Sequence, residues 1–284
     1  MSNQHSEGAS GQGVLVIIGG HEAKEGRREV LREVARHARG GKLVIATVAS
    51  HEPEGYFEGY QQGFDGLGVG ELVELYVQER PEASSPEKLA LFDGAAGVFF
   101  TGGDQLRITS QIGDTPVEAR VREVLAAGGV IAGTSAGASV MCETMLVKGT
   151  SDESYHVGDL RMAPGLGLIG GVIIDQHFAE RGRIGRLLGA VAHNPRALGI
   201  GIDEDTAIVV RGAPGEQRFT VVGSGAVYVA DGAGVTHSNI AEARRAETLT
   251  LFGVRLHVLS AGDTFDLARR EPAARAEGHE KAAD

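Results

Sequence analysis

The sequence predicts an α/β protein with a doubly wound, mostly parallel sheet, because short buried strands alternate with amphipathic helices. Four apolar runs end directly in glycine or a small polar residue, and they begin at Val14, Leu43, Gly97 and Val130. Unalternating runs of this length are typical of strands covered on both faces, as in a parallel sheet. Strand and helix patterns alternate through about residue 145, which is the signature of a doubly wound fold.

Helical periodicity fills the segments between these strands. Residues 27–39 carry one apolar stripe among charged residues, and residues 115–127 carry another that Gly128-Gly129 ends. A further helix is predicted over 184–193, before Asn194-Pro195. Beyond Gly199, short strand patterns with Gly, Asp and Asn turns predict added C-terminal β-hairpins. These patterns cover residues 207–210, 219–222, 226–230, 248–252 and 254–259.

Composition excludes several classes of protein. Glycine supplies 43 of the 284 residues, but there is no G-X-Y period and 42% of residues are hydrophobic, so collagen and low-complexity chains are excluded. A net charge of −11 disfavours a general nucleic-acid binder. Cys142 is the only cysteine, which rules out an internal disulfide, and we expect it to be a small buried hydrophobe.

The ends of the chain and its continuity predict one soluble domain. The N-terminus has no basic start followed by an apolar run, and no stretch reaches 18 uninterrupted apolar residues. We therefore expect a cytoplasmic protein with no membrane partner. Nothing marks a linker, so residues 13–269 form a single predicted domain between disordered tails at 1–12 and 270–284.

The sharpest local motif is Gly133-Thr134-Ser135-Ala136-Gly137. It has the G-x-S-x-G pattern of a nucleophile elbow, placed between a predicted strand and a helix-compatible stretch over 138–145. Small neighbours would let the chain turn sharply and hold the Ser135 hydroxyl clear of the sheet. The N–H of Ala136 could then face a developing oxyanion. The alternative is a plain glycine-rich turn, since the motif also occurs by chance.

A serine nucleophile needs a base and an acid that orients the base. Among ten histidines, His177 stands out because it lies just after the apolar segment 171–174, in the stretch Asp175-Gln176-His177-Phe178. A satisfied histidine at a strand end is the alternative. The acid could come from 203–205, where Asp, Glu and Asp follow another predicted strand, and the pattern does not choose among them. The order serine, histidine, acid differs from that of α/β-hydrolases.

Taken together, five ordered stretches resemble the cyanophycinase family. This family consists of serine peptidases with a class I glutamine amidotransferase-like α/β fold, and it is related to aspartyl dipeptidase. Each stretch is modest alone, whereas the ordered set is specific and spans residues 14 to about 260. The matching stretches are 17–22, 100–105, 133–138, 175–186 and 201–204.

The resemblance implies an activity and a catalytic triad. It implies hydrolysis of the aspartate backbone of cyanophycin, a polymer with arginine on each side-chain carboxyl, to β-Asp-Arg dipeptides through an acyl-enzyme. No cofactor and no metal are implied. Ser135 would be the nucleophile, His177 the base and Glu204 the acid. We expect the N–H of Gly103 to join that of Ala136 as the oxyanion hole, although a tight turn would also explain this glycine.

Six polar residues are candidates for substrate binding. They are Arg181, Arg183 and Arg186, which follow the proposed base, and the acceptors Gln105, Asp175 and Gln176. Planar guanidinium groups suit the carboxylates of an aspartate backbone, and the acceptors suit a substrate guanidinium. The alternative for the arginines is a solvated basic patch.

Other features leave alternatives open. His21-Glu22 could lie near the site or cap the next helix, and the structural role is favoured. The polar segment 152–156 could line the cleft or bind a metal, but no second ligand group accompanies it. Exposed sheet edges favour a homodimer. The competing functions are an aspartyl dipeptidase acting on small peptides, a non-catalytic amidotransferase-like binding protein, and a nucleotide-binding protein, which lacks a full phosphate-binding motif.

Overall fold

The computed structural model describes residues 12–149 and 156–275. Its helices are α1 (Glu29–Ala38), α2 (Tyr56–Phe64), α3 (Pro86–Ala90), α4 (Gln105–Ile112), α5 (Pro116–Ala126), α6 (Ala136–Ser139) and α7 (Ile184–His193), with a 3₁₀ turn at Arg80–Ser84. The first nine strands are β1 (Val14–Ile18), β2 (Lys42–Ala46), β3 (Glu71–Leu75), β4 (Ala95–Phe100), β5 (Val130–Thr134), β6 (Thr144–Lys148), β7 (Arg161–Pro164), β8 (Val172–Gln176) and β9 (Leu198–Ile202). The others are β10 (Thr206–Arg211), β11 (Arg218–Gly223), β12 (Val227–Asp231), β13 (His237–Ser238), β14 (Leu251–Phe252), β15 (Arg255–Leu259), β16 (Thr264–Asp266) and β17 (Glu271–Ala273).

The central sheet has nine strands in the order β17-β16-β11-β10-β1-β5-β4-β2-β3. The five strands from β1 to β3 in this order are parallel. From β10 outward, each neighbour pairs antiparallel. The predicted α/β class is therefore confirmed.

Both faces of this sheet are buried, as β1 shows. Leu15 and Ile17 point into one apolar core with α4 and α5, whereas Val16 and Ile18 point into another with α1 and α2. Because successive strand residues face opposite sides, a strand in a three-layer fold must be apolar at every position. Each fully buried side chain of this size contributes about 1.5–3 kcal/mol.

A second sheet brings the other half of the candidate site into place. Its order is β15-β12-β9-β8, with β8 and β9 parallel. Helix α7 packs against it through Leu187 and Val191, which contact a cluster that includes Phe178. Backbone hydrogen bonds from His177 to Gly19 and from Asp205 to Gly20 bring the carboxyl ends of β8 and β9 beside that of β1.

The segment after Ser135 differs from the expected helix over 138–145. Helix α6 ends at Ser139, and strand β6 begins at Thr144. The carbonyls of Val140 and Met141 accept hydrogen bonds from the glycine-rich segment 165–169 instead of continuing the helix. That segment comes so close that a Cβ on Gly165 would lie 2.2 Å from the carbonyl oxygen of Cys142. Cys142 is fully buried, as expected, although it lies outside the helix.

The structure also refines the chain ends and the short strands. Residues 271–273 pair with β16, so the sheet continues beyond the expected boundary at residue 269. Residues 1–11, 150–155 and 276–284 lie outside the described residues, and so does the expected polar segment 152–156 except for its last residue. Of the strand expected over 248–252, only β14 forms. Within the described ranges, no helix is long and apolar enough to cross a membrane.

Candidate active site

The candidate site lies where the parallel strands end. Ser135 follows β5, His177 follows β8 and Glu204 follows β9 by two residues. The end of β1 connects them, since the N–H of Ser135 donates to the carbonyl of Ile18 at 3.2 Å and that of His177 donates to Gly19 at 2.8 Å. Ligand sites of open α/β folds occur at this edge of the sheet.

Ser135 occupies a strained elbow between β5 and α6. Its backbone has φ 53° and ψ −110°, a conformation that a side-chain-bearing residue rarely adopts. Close packing around the turn requires glycine on both sides. A Cβ on Gly133 would lie 2.3 Å from the carbonyl oxygen of Gly137, and one on Gly137 would lie 2.3 Å from that of Phe100. Such strain costs about 1–3 kcal/mol and is concentrated at functional sites.

The three proposed catalytic side chains form a continuous hydrogen-bonded chain. Ser135 Oγ lies 2.9 Å from His177 Nε2, and His177 Nδ1 lies 2.6 Å from Glu204 Oε1. Since a carboxylate only accepts, Nδ1 donates to Glu204 and Nε2 is left to accept the serine proton. The structure thus brings together three residues separated by 42 and 27 positions.

The surroundings of His177 and Glu204 favour the protonation states that a base and its orienting acid need. Burial lowers the pKa of His177 below its ordinary value, and the charge of Arg181 lowers it further, against the opposing hydrogen bond with Glu204. Partial burial would raise the pKa of Glu204, but its hydrogen bond with His177 and nearby positive charges bring the net pKa below its usual value. His177 is therefore a neutral base at neutral pH, and Glu204 is an ionised acceptor.

The three neighbouring acids have separate contacts. Only Glu204 contacts the base. Asp203 accepts the backbone N–H of Ala179 at 2.9 Å, and Asp205 accepts that of Ala23 at 2.8 Å. The outer two carboxylates therefore support the loops around the site.

The proposed oxyanion donors flank the serine. Gly103 has φ 141°, and a Cβ there would lie 2.5 Å from the carbonyl oxygen of Ala49, so only glycine fits. A Cβ on Gly102 would lie 3.5 Å from Ser135 Cβ, which places this turn against the elbow. Neither the N–H of Gly103 nor that of Ala136 donates to another described residue. Their role as the oxyanion hole stays a prediction.

Four of the six candidate substrate ligands instead form a buried network beneath the site. Asp175 is fully buried and accepts from Arg186 Nε at 2.8 Å and from Arg183 Nη1 at 3.1 Å. Gln176 Oε1 accepts from Arg183 at 2.6 Å, while Gln176 Nε2 donates to Ser139 Oγ at 3.0 Å. Burial lowers the pKa of Arg183 to about 10.

This network has a physical cause, because a buried carboxylate requires paired charge. Both guanidinium groups therefore point at Asp175 rather than into open solvent. Their predicted contact with substrate stays a prediction, and so does that of Gln176.

The other two candidate substrate ligands, Arg181 and Gln105, lie outside this buried network. Arg181 is exposed beside the base, and its charge lowers the pKa of both His177 and Glu204. Gln105, at the start of α4, is half-buried and donates its Nε2 to the carbonyl of Leu146 at 2.9 Å. Arg181 is thus the arginine of the three that faces solvent.

Glu22 and His21 hold positions that the sequence pattern alone did not assign. Glu22 is buried and accepts from Tyr60 Oη at 2.6 Å and from Thr134 Oγ1 at 2.5 Å, directly beneath the elbow. His21 Nδ1 lies 3.1 Å from Glu204 Oε2. The available signal was their place at the end of β1. The favoured role of capping the next helix is wrong, because α1 begins at Glu29 without a side-chain cap, and both residues lie near the site instead.

One grouping of potential metal ligands occurs among the described residues, and it is the site itself. Ligand atoms of His21, His177 and Glu204 lie within 4.8 Å of one another. Hydrogen bonds within the triad already engage both His177 nitrogens and Glu204 Oε1.

This α/β fold, with a Ser–His–Glu hydrogen-bonded chain at the edge of its sheet, has the arrangement expected of a serine hydrolase. Residues 15–217 match peptidase family S51, and the chain belongs to this family. It is 41% identical over 259 residues to a cyanophycinase of Trichormus variabilis, covering 90% of this chain and 86% of the relative. It is 36% identical over 263 residues to a cyanophycinase of Geminocystis herdmanii, covering 92% of this chain and 96% of that relative. The predicted family resemblance is therefore confirmed.

A solved structure shows the same fold. The crystal structure of a peptidase from an acI-B1 actinobacterium superposes with a TM-score of 0.63 at 24% identity, over 90% of this chain and 98% of that one. At this identity the likeness concerns the fold alone.

Proposed function

We propose that this chain is a serine-type exopeptidase that hydrolyses the aspartate backbone of cyanophycin to β-Asp-Arg dipeptides. The observation that carries the proposal is the Ser135–His177–Glu204 chain, with contacts of 2.9 and 2.6 Å. The substrate assignment is supported by the cyanophycinases that are 36–41% identical over most of the chain.

The reaction follows from the hydrogen-bond directions. Ser135 Oγ attacks the backbone carbonyl carbon while its proton passes to His177 Nε2, and Glu204 stabilises the resulting imidazolium. The N–H groups of Gly103 and Ala136 bind the oxyanion, each lowering the barrier by about 3–4 kcal/mol. His177 then protonates the leaving amine. Water, deprotonated by His177, hydrolyses the acyl-enzyme and restores the serine.

We propose different roles in substrate binding for the exposed Arg181 and for the buried network around Asp175. Arg181 lies in solvent beside the triad, where its guanidinium can capture a carboxylate of the polymer. Arg183, Arg186, Asp175 and Gln176 support the floor of the site, where any substrate contact would use donor or acceptor capacity not already occupied. Gln105 lines the opposite wall through the start of α4.

The test is incubation of the protein with insoluble cyanophycin, with dipeptide release measured by mass spectrometry. We expect β-Asp-Arg from the native protein and none from Ser135→Ala, which should fold normally and still bind the polymer. A serine-directed phosphonate should label Ser135 covalently. Turnover of small α-aspartyl dipeptides with the polymer untouched would favour an aspartyl dipeptidase. Absence of both labelling and turnover would favour a non-catalytic binding protein.

Three finer expectations accompany this proposal. The chain would share the amidotransferase-like α/β fold, supported by the elbow between β5 and α6. It would form a homodimer in the cytoplasm. The edge strand β15 supports self-association, because Leu256 and Val258 on it are 48% and 61% exposed. Light scattering of the purified protein measures the oligomeric state.

A further inference from the structure

His21 contacts the carboxylate oxygen of the proposed catalytic acid that the base does not use. Glu204 Oε1 is 2.6 Å from His177 Nδ1, and Glu204 Oε2 is 3.1 Å from His21 Nδ1. The two imidazole rings meet edge to face with their centroids 5.0 Å apart. The carboxylate is therefore held at both oxygens, which leaves it one orientation toward the base.

This second contact matters because Glu204 is not held by burial. Its side chain is 25% exposed, compared with 4% for that of His177. An exposed glutamate loses rotamer entropy when it is fixed, and a single hydrogen bond leaves rotation about the carboxylate free. A donor on the outer oxygen removes that freedom.

The backbone of His21 is fixed by the same contacts that position the base and the acid. Its φ is 46°, and it follows Gly20, whose carbonyl accepts the N–H of Asp205 at 2.8 Å. The preceding Gly19 accepts the N–H of His177 at 2.8 Å. The turn after β1 thus connects the loops carrying both catalytic partners, and His21 projects from it onto Glu204.

We propose that His21 is a positioning residue, which donates its Nδ1–H to Glu204 and so holds the acid in register with His177. This inference rests on the proposed serine-peptidase mechanism and adds a fourth side chain to it. The donor exists in both the Nδ1–H neutral tautomer and the protonated form of His21.

His21 also has an electrostatic effect on the base. A positive charge on His21 lies close enough to oppose protonation of His177, in the same sense as the charge of Arg181. Glu204 favours that protonation. Removal of the positive charge of His21, with its donor to Glu204 retained, should therefore raise the pKa of His177 and move the acid limb of activity to higher pH. Other charged groups lie near His21 and His177. Glu180 is one of them, and its Oε1 accepts the N–H of Glu204 at 3.2 Å. The others are Glu204, Arg181 and the buried Asp175 with its paired Arg183 and Arg186.

Two variants separate the donor from the backbone conformation. Asn and Gly both tolerate a positive φ, so neither His21→Asn nor His21→Gly strains the turn. Asparagine carries an amide donor close to the position of Nδ1, whereas glycine carries none. His237→Asn, at an exposed histidine on β13, is the matched control.

The experiment measures the rate at which a serine-directed phosphonate labels Ser135, and kcat and KM on cyanophycin, across pH 5–9. For His21→Gly we expect the labelling rate and kcat to fall about tenfold, the loss of one hydrogen bond to a charged group, with KM unchanged. His21→Asn should stay within about threefold of the native protein at pH 8. His21→Asn, which keeps the donor and loses the charge, should move the acid limb to higher pH, and His237→Asn should change nothing.

Native rates in His21→Gly, equal losses in the glycine and asparagine variants, or an unchanged acid limb in His21→Asn would each overturn the proposal. Labelling does not depend on the polymer, so the two proposals can fail separately. Normal phosphonate labelling of a native protein that does not hydrolyse cyanophycin would overturn only the proposed substrate. A native protein that resists the phosphonate would overturn both.

Discussion

Gly20 offers the most direct test of how the fold places the proposed catalytic base, His177. A Cβ at this position would lie 2.3 Å from Cε1 and 2.6 Å from Nε2 of His177. The backbone there has φ 112°, which side-chain-bearing residues rarely adopt. Gly20→Ala therefore places a methyl group in the space that the imidazole occupies.

The size of the effect follows from these distances. Ordinary carbon contacts begin near about 3.5 Å, so the ring must move by about 1 Å to make room. That displacement breaks the 2.9 Å contact with Ser135 Oγ. A misplacement of this size costs about 100-fold in rate. The backbone strain removes about 1–3 kcal/mol from the free energy of unfolding.

The assay compares kcat on cyanophycin, phosphonate labelling of Ser135 and urea unfolding for Gly20→Ala and Gly26→Ala. Gly26 lies in the same loop with φ 67°, and a Cβ there meets nothing within 4 Å. The control thus carries a positive-φ penalty without the collision. We expect both variants to be destabilised, and only Gly20→Ala to lose about 100-fold in kcat and labelling.

Two results would refute this reasoning. Full activity in Gly20→Ala would mean that the ring does not depend on the space beside the turn. An equal loss in Gly26→Ala would trace the effect to the loop backbone rather than to His177.

Three further predictions concern buried groups. Burial lowers the pKa of His177 below its ordinary 6.5, so the neutral base persists below that pH. We therefore expect kcat/KM to rise with pH through an apparent pKa under 6.5. An acid limb centred above pH 6.5 would contradict this prediction. Burial raises the pKa of the Cys142 thiol to about 12, so Ellman's reagent should react in urea but not with the native protein, and native modification with loss of activity would count against this. Asp175→Asn should cost about 3–5 kcal/mol in urea unfolding by leaving buried guanidiniums without a counter-charge. Asp93→Asn, in an exposed ion pair, should cost under about 1 kcal/mol; equal costs would contradict the buried network.

Local patterns were sufficient to predict much of the fold. The strands at Val14, Leu43, Gly97 and Val130 were recognisable because a strand buried on both faces is apolar at every position. The elbow at Ser135 was recognisable because a sharp strand-to-helix turn needs small neighbours. The predicted helix over 138–145 was wrong because a distant glycine-rich segment takes up the carbonyls of residues 140–142.

The candidate site was also only partly predictable from local sequence patterns. By itself, the sequence determined that Ser135, His177 and one of three acids lie at strand ends, since strand period and turn chemistry are local properties. The residue pattern left three acids open and the family resemblance selected Glu204, which the structure places against His177. Only the tertiary structure decided that Arg183 and Arg186 neutralise Asp175. It alone also decided that His21 contacts Glu204. The contacts of Glu204 join loops that follow different strands, so they depend on how the two sheets pack, and the arginines reach Asp175 only because α7 packs back against β8.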